Sequence, residues 1–176
     1  MKKVISILLI IILHGCASLK AKDVDEGQEN TKGNEINDDI ATLYFSYLDL
    51  AKRFHKAGSL APNSATMTMS GDILGNSIVE KDGSDVTVEG ALSRFKESQR
   101  KEAKKSDIRA SAIFYHGHMN EGYYRPALQE NEANAIIAYV ESPTQSLVFI
   151  LPYVVDQNIE YGGLEVYEKE AEIFVE

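Results

Sequence analysis

The feature that most limits how this chain can fold is a change of hydrophobic period near Asp107. Before it, apolar side chains recur every three or four residues; after it, they alternate. The first pattern makes a stripe on a helix and the second makes one face of a strand. Ile40, Leu43, Tyr44, Tyr47, Leu50, Ala51 and Phe54 follow helical spacing. Asn37, Asp38 and Asp39 offer a cap and negative charge at the start of that stripe, Lys52, Arg53 and Lys56 offer positive charge near its end, and Gly58 offers a stop. The spacing predicts a helix over 38–57 with Tyr44 and Tyr47 in the core. Val88, Leu92 and Phe95 predict a second helix ending near Lys105, with Glu97 and Lys101 paired one turn apart. Beyond Asp107, strands are predicted over 108–118, 133–141, 146–155 and 164–175. The short links Ser142-Pro143-Thr144-Gln145 and Asp156-Gln157-Asn158 favour an antiparallel meander. Pro152 requires a bulge or an edge position without a partner, because it has no N–H to donate. Between the helices, 59–71 predicts a loop with a helical turn after Pro62. Residues 73–80 predict a strand, closed by the turn Lys81-Asp82-Gly83-Ser84. The fold class is α+β: an amphipathic N-terminal helix and a second helix packed on a curved antiparallel sheet of four or more strands.

This order of elements, with the leading helix Ile40 to Phe54 and Val88-Glu89-Gly90-Ala91-Leu92-Ser93-Arg94-Phe95 ahead of the meander, resembles the nuclear-transport-factor-2-like superfamily. The resemblance implies a cone-like sheet curled round its helices, with a pocket that some members use for catalysis and others for binding or assembly. Fold alone does not choose among those uses.

The start of the chain carries a second pattern. Met1-Lys2-Lys3 precede an apolar run from Val4 to Leu13 that only Ser6 interrupts. A basic segment and a short apolar run form a signal peptide, and a bilayer span needs about 20 apolar residues. Leu13-His14-Gly15-Cys16 resembles the lipobox of bacterial lipoproteins, with an aliphatic residue three before the cysteine and a small residue just before it. Cys16 is the only cysteine, so the domain can form no internal disulfide. Acylation would remove a free thiol from an oxidising compartment. The resemblance implies a signal peptide over 1–15 and lipidation of Cys16 with a thioether-linked diacylglycerol and an acylated, palmitate-type amine. Several acyl chains anchor stably where one does not. Residues 16–36 are then the lipidated cysteine and a polar, flexible tether, with a span of roughly 25 Å. Residues 37–176 form one domain. Ala17, rather than Asp, after the cysteine resembles the sorting pattern for the outer membrane, facing the periplasm, in a Gram-negative host.

With 18 basic and 27 acidic residues the net charge is −9. Such a surface is repelled by nucleic acid and by anionic headgroups, so no nucleic-acid partner is expected and the membrane is reached through lipid. No phosphate-binding glycine loop, dinucleotide fingerprint or zinc-protease helix motif occurs, and no cofactor is assigned. Arg94, Lys96, Arg100, Lys101, Lys104 and Lys105 make the second helix basic. A solvated face accounts for them more simply than a docking site for an acidic partner. Glu165, Glu168, Glu170 and Glu172 are expected mostly on a strand face in water, where they would discourage edge-to-edge association.

Four histidines occur, and His14 falls in the signal segment. His55 sits in the last turn of the first helix, where a cation is favoured. On strand 108–118 the even positions, Ile108, Ala110, Ala112, Phe114, His116 and His118, share one face. Two imidazoles so placed can share a metal ion only with further ligands from elsewhere, and the sequence identifies none, so no metal is assigned. Bonding to backbone or solvent near a strand exit is the simpler role. Tyr123, Tyr124 and Arg125 fall in a long link, packing the loop itself or offering a contact surface. Phe114, His116, His118, Tyr123, Tyr124 and Arg125 are the ligand-binding candidates, and no residue is assigned a catalytic role. The expected function is a non-enzymatic binding or accessory domain for an envelope protein or small ligand, tethered to the cell envelope. The alternative is a small-pocket enzyme using His116 or His118 as acid or base.

Overall fold

The computed structural model describes residues 35–78, 87–120, 123–126 and 134–175. Residues 1–34, which include the expected signal peptide, Cys16 and most of the expected tether, lie outside the described residues. Helix α1 is Asp38–Lys56 and α2 is Val88–Lys104. The strands are β1 Asn63–Thr68, β2 Ile73–Ser77, β3 Ile108–Asn120, β4 Tyr123–Pro126, β5 Ala135–Ser142, β6 Gln145–Val155, β7 Ile159–Tyr161 and β8 Glu165–Glu168. The Asn37 side chain caps α1 by accepting the N–H groups of Asp39 and Ile40. Thr87 caps α2 by accepting from the Gly90 N–H at 3.1 Å.

All strand pairs are antiparallel. The path runs β2-β1-β3-β5-β6-β7, with β4 on β3 and β8 on β6, and it is open at β2 and β7. Two apolar clusters lie on its two faces. Ala110, Ala112 and Phe114 of β3 join Ala65, Met67, Val140 and Phe149 against Ile40, Leu43, Tyr44 and Tyr47 of α1. The intervening Ile113 and Tyr115 join Ile137, Val148 and Ile150 against Ala91, Leu92 and Phe95 of α2. Successive side chains of a strand point to opposite faces, so α1 and α2 cover opposite sides of the sheet. The central strands are therefore buried on both faces, and β5 and β6 read as nearly continuous apolar runs. Each fully buried Leu, Ile or Phe contributes about 1.5–3 kcal/mol. Gln99, 2 % exposed, seats α2 by donating to the carbonyls of Ala65 and Ala112.

Three expectations are corrected. The loop over 59–71, with its helical turn, is instead strand β1 and a turn into β2. Ala65 and Met67 face α1 while Ser64 and Thr66 are buried on the other side, so hydroxyls hide the strand from its hydropathy. Gly71, at φ +94°, closes this hairpin with its N–H on the Thr68 carbonyl. Tyr123, Tyr124 and Arg125 stand in β4, in register with Asn120, Met119 and His118, not in a link without secondary structure. The strand expected over 164–175 ends at Glu168. Glu141, 2 % exposed, accepts the N–H groups of Glu172 and Ile173 and turns the chain there.

Pro152 stands in regular register with Ala135 of β5, so it marks neither a bulge nor a free edge but a gap in the outer pairing of β6. Its carbonyl accepts from Gly162 on the outer side of β6. There the partner changes from β8, which ends opposite Ile150, to β7, which begins opposite Tyr153. A missing N–H pointing into that gap removes no ladder bond.

Candidate functional site

The domain has two chemically distinct ends. The chain enters at the first. The Asn37 N–H donates to Gln145 Oε1 at 2.9 Å, Gln145 Nε2 donates to the Glu35 carbonyl, and Ile36 packs on the core. Residues 35 and 36, which the sequence places in the tether, thus make contacts within the domain. Beside them Glu141 receives Lys169 Nζ at 3.0 Å as well as the two backbone N–H groups. Glu172 pairs with Lys96 at 2.6 Å and Lys169 at 3.1 Å, and its carbonyl receives the Arg100 guanidinium. Burial opposes charge on Glu172, yet the two ammonium groups hold its carboxyl below the usual range. Glu172 is half-buried and paired, not directed into water as its alternation suggests. Lys96 and Arg100 line a groove of about 390 Å³ with Glu89, Leu92, Ser93 and Glu172. Glu172 offsets their charge, and Lys101 pairs with Glu97 at 2.7 Å, so part of the basic face of α2 is neutralised within the chain.

The other end lies about 28 Å away along the 19 residues of α1, at about 1.5 Å per residue. There His116 is 7 % exposed and His55 5 % exposed, with ring centroids 4.5 Å apart. His116 Nδ1 is 3.0 Å from Tyr153 Oη, and His55 Nδ1 is 3.1 Å from Tyr161 Oη. The Tyr153 ring lies 4.3 Å from that of His55, and Lys52 Nζ stands 4.9 Å from the Tyr161 ring centre. Burial, with His55 second, pushes His116 down to about 3 from an ordinary 6.5; burial also lowers His55. Burial likewise raises both phenols. The cluster is therefore uncharged near neutral pH, and each Nδ1–Oη pair shares one proton. This corrects the reading of His55 as a favoured cation: desolvation against Tyr153 and Tyr161 outweighs the helix terminus, worth about 0.3–1 kcal/mol.

The even face of β3 is as expected, with His116 continuing Phe114. Phe114, 1 % exposed, is stacked on Tyr44 and tilted against Tyr47, deep in the α1 core. His118 is half-buried beyond His116 and in register with Arg125. The structure brings His116 together with His55, Tyr153 and Tyr161, three residues that the sequence reading did not join to it. Their sole signal is polarity at buried periodic positions, which sequence spacing cannot pair. Among the described residues, no three of His, Cys, Asp or Glu are grouped to hold a metal ion. An acid or base works best with a pKa near the working pH and within reach of substrate. A closed-in imidazole lowered to about 3 is poorly suited to that task. Comparisons with protein-family models, curated proteins and solved structures give no match to this chain.

Proposed function

We propose that this chain is a cell-envelope lipoprotein, held to the membrane by lipid on Cys16, whose domain binds an envelope protein or small ligand without catalysing a reaction. The observation that carries the reading is the register of Lys2-Lys3, the short apolar run and Leu13-His14-Gly15-Cys16. The cluster at His116 favours binding over catalysis, because both imidazoles are occupied by phenols and surrounded by rings. In a Gram-negative host the lipid sits in the outer membrane and the domain faces the periplasm. For the fold we propose that the resemblance to the nuclear-transport-factor-2-like superfamily extends to curvature of the sheet, with element order as its support.

The test is Cys16→Ser, followed by membrane fractionation and labelling with radioactive palmitate. Loss of label and release from the membrane are expected. Equal labelling of both proteins would remove the lipoprotein assignment.

A further inference from the structure

His55 and His116 are buried edge to face, with their rings inclined at 62°, where α1, β3, β6 and β7 meet. Tyr153 from β6 and Tyr161 from β7 meet their ring nitrogens, Lys52 of α1 stands over the Tyr161 ring, and the half-buried His118 follows two residues on along the same side of β3. Among the described residues neither His55 nor His116 forms an ion pair with a carboxylate. A proton added to either ring would therefore create a buried cation, about 4.5 Å from a second imidazole, with the Lys52 ammonium on the other side of the cluster's Tyr161 ring. Such a charge is too costly to keep unpaired out of water. It can be relieved by moving the last turn of α1 away from β7 into solvent.

We propose that His55 and His116 form an acid-sensitive lock, which holds the C-terminal end of α1 to β6 and β7 when neutral and releases it when protonated. Both rings bind protons less readily in the closed state than in an open or unfolded one. The stabilisation from their neutral forms is thus complete above about pH 6.5, the ordinary value, and is lost as pH falls below it. Each imidazole can raise the opening constant by up to about tenfold per pH unit. The device needs no ligand and no anchor, so it stands apart from the proposed function.

The test follows the imidazole resonances of the full chain by NMR from pH 7.5 to 4.5, with unfolding by urea over the same range. In the folded protein the His116 signal is expected to stay at its neutral position well below pH 6. Stability should fall with acid, and more gently in His116→Asn and in the double variant with His55→Asn, since an amide can meet the phenol but cannot charge. Titration of both rings near pH 6.5 with the fold intact would overturn the lock, as would an unchanged pH slope in folded variants. Should the variants fail to fold, the wild-type resonances decide the matter alone.

Discussion

The entry end and the far end of α1 solve one problem, fixing a chain segment to the sheet, with opposite chemistry. At the entry end a buried carboxylate, Glu141, gathers two backbone N–H groups and the Lys169 ammonium, and Glu172 spans Lys96 and Lys169. At the far end uncharged rings meet phenols. The contrast teaches that burial is tolerated either by pairing charge completely or by removing it. It also separates the two ends in pH. Glu172 is held below its ordinary 4.5, so its stabilisation is present above that value and is lost as pH falls through it. The histidines are lowered from 6.5, so theirs starts to fade about two pH units earlier.

The comparison breaks most violently at Glu141. Glu141→Ala leaves the N–H groups of Glu172 and Ile173 and the Lys169 ammonium without their acceptor. A loss of about 3–5 kcal/mol is expected in urea unfolding. A loss below about 1 kcal/mol would mean that the segment from Lys169 to Val175 finds other acceptors, and that the entry end does not depend on this carboxylate.

A smaller effect sharpens the other side. Tyr161→Phe keeps the ring under Lys52 but removes the hydroxyl from His55. A neutral hydrogen bond is worth about 0.5–1.5 kcal/mol, and a loss of that size is expected at pH 7.5, measured by the same unfolding. A loss of several kcal/mol would imply a charged partner and contradict the neutral cluster.

How much of this was legible beforehand differs between the ends for the same physical reason. Both helices could be read because apolar stripes are local, and for α1 the capping role of Asn37 was visible in three consecutive residues. The antiparallel meander after Asp107 followed from alternation and short links. Strand β1 was hidden because Ser64 and Thr66 are polar yet buried on the side away from α1. The alternation of residues 164–175 suggested one long strand, and the carboxylate that receives its turned end, Glu141, is distant in sequence. The side of β3 that carries His116 was legible from period two. That His55 would lie across from it was not, because helix spacing records which side of α1 is buried but not which strand residue it meets.

The most direct measurement is amide hydrogen exchange of the full chain at pH 7.5 and pH 5.5, read at both ends and corrected for the intrinsic pH dependence of exchange. Acidification to 5.5 enters the histidine window without reaching that of Glu172. Protection is expected to fall in the last turn of α1 and in β7, while the first turn of α1, the β5–β6 turn and Glu172–Ile173 keep theirs. Equal loss at the two ends, or loss confined to the entry end, would contradict the account.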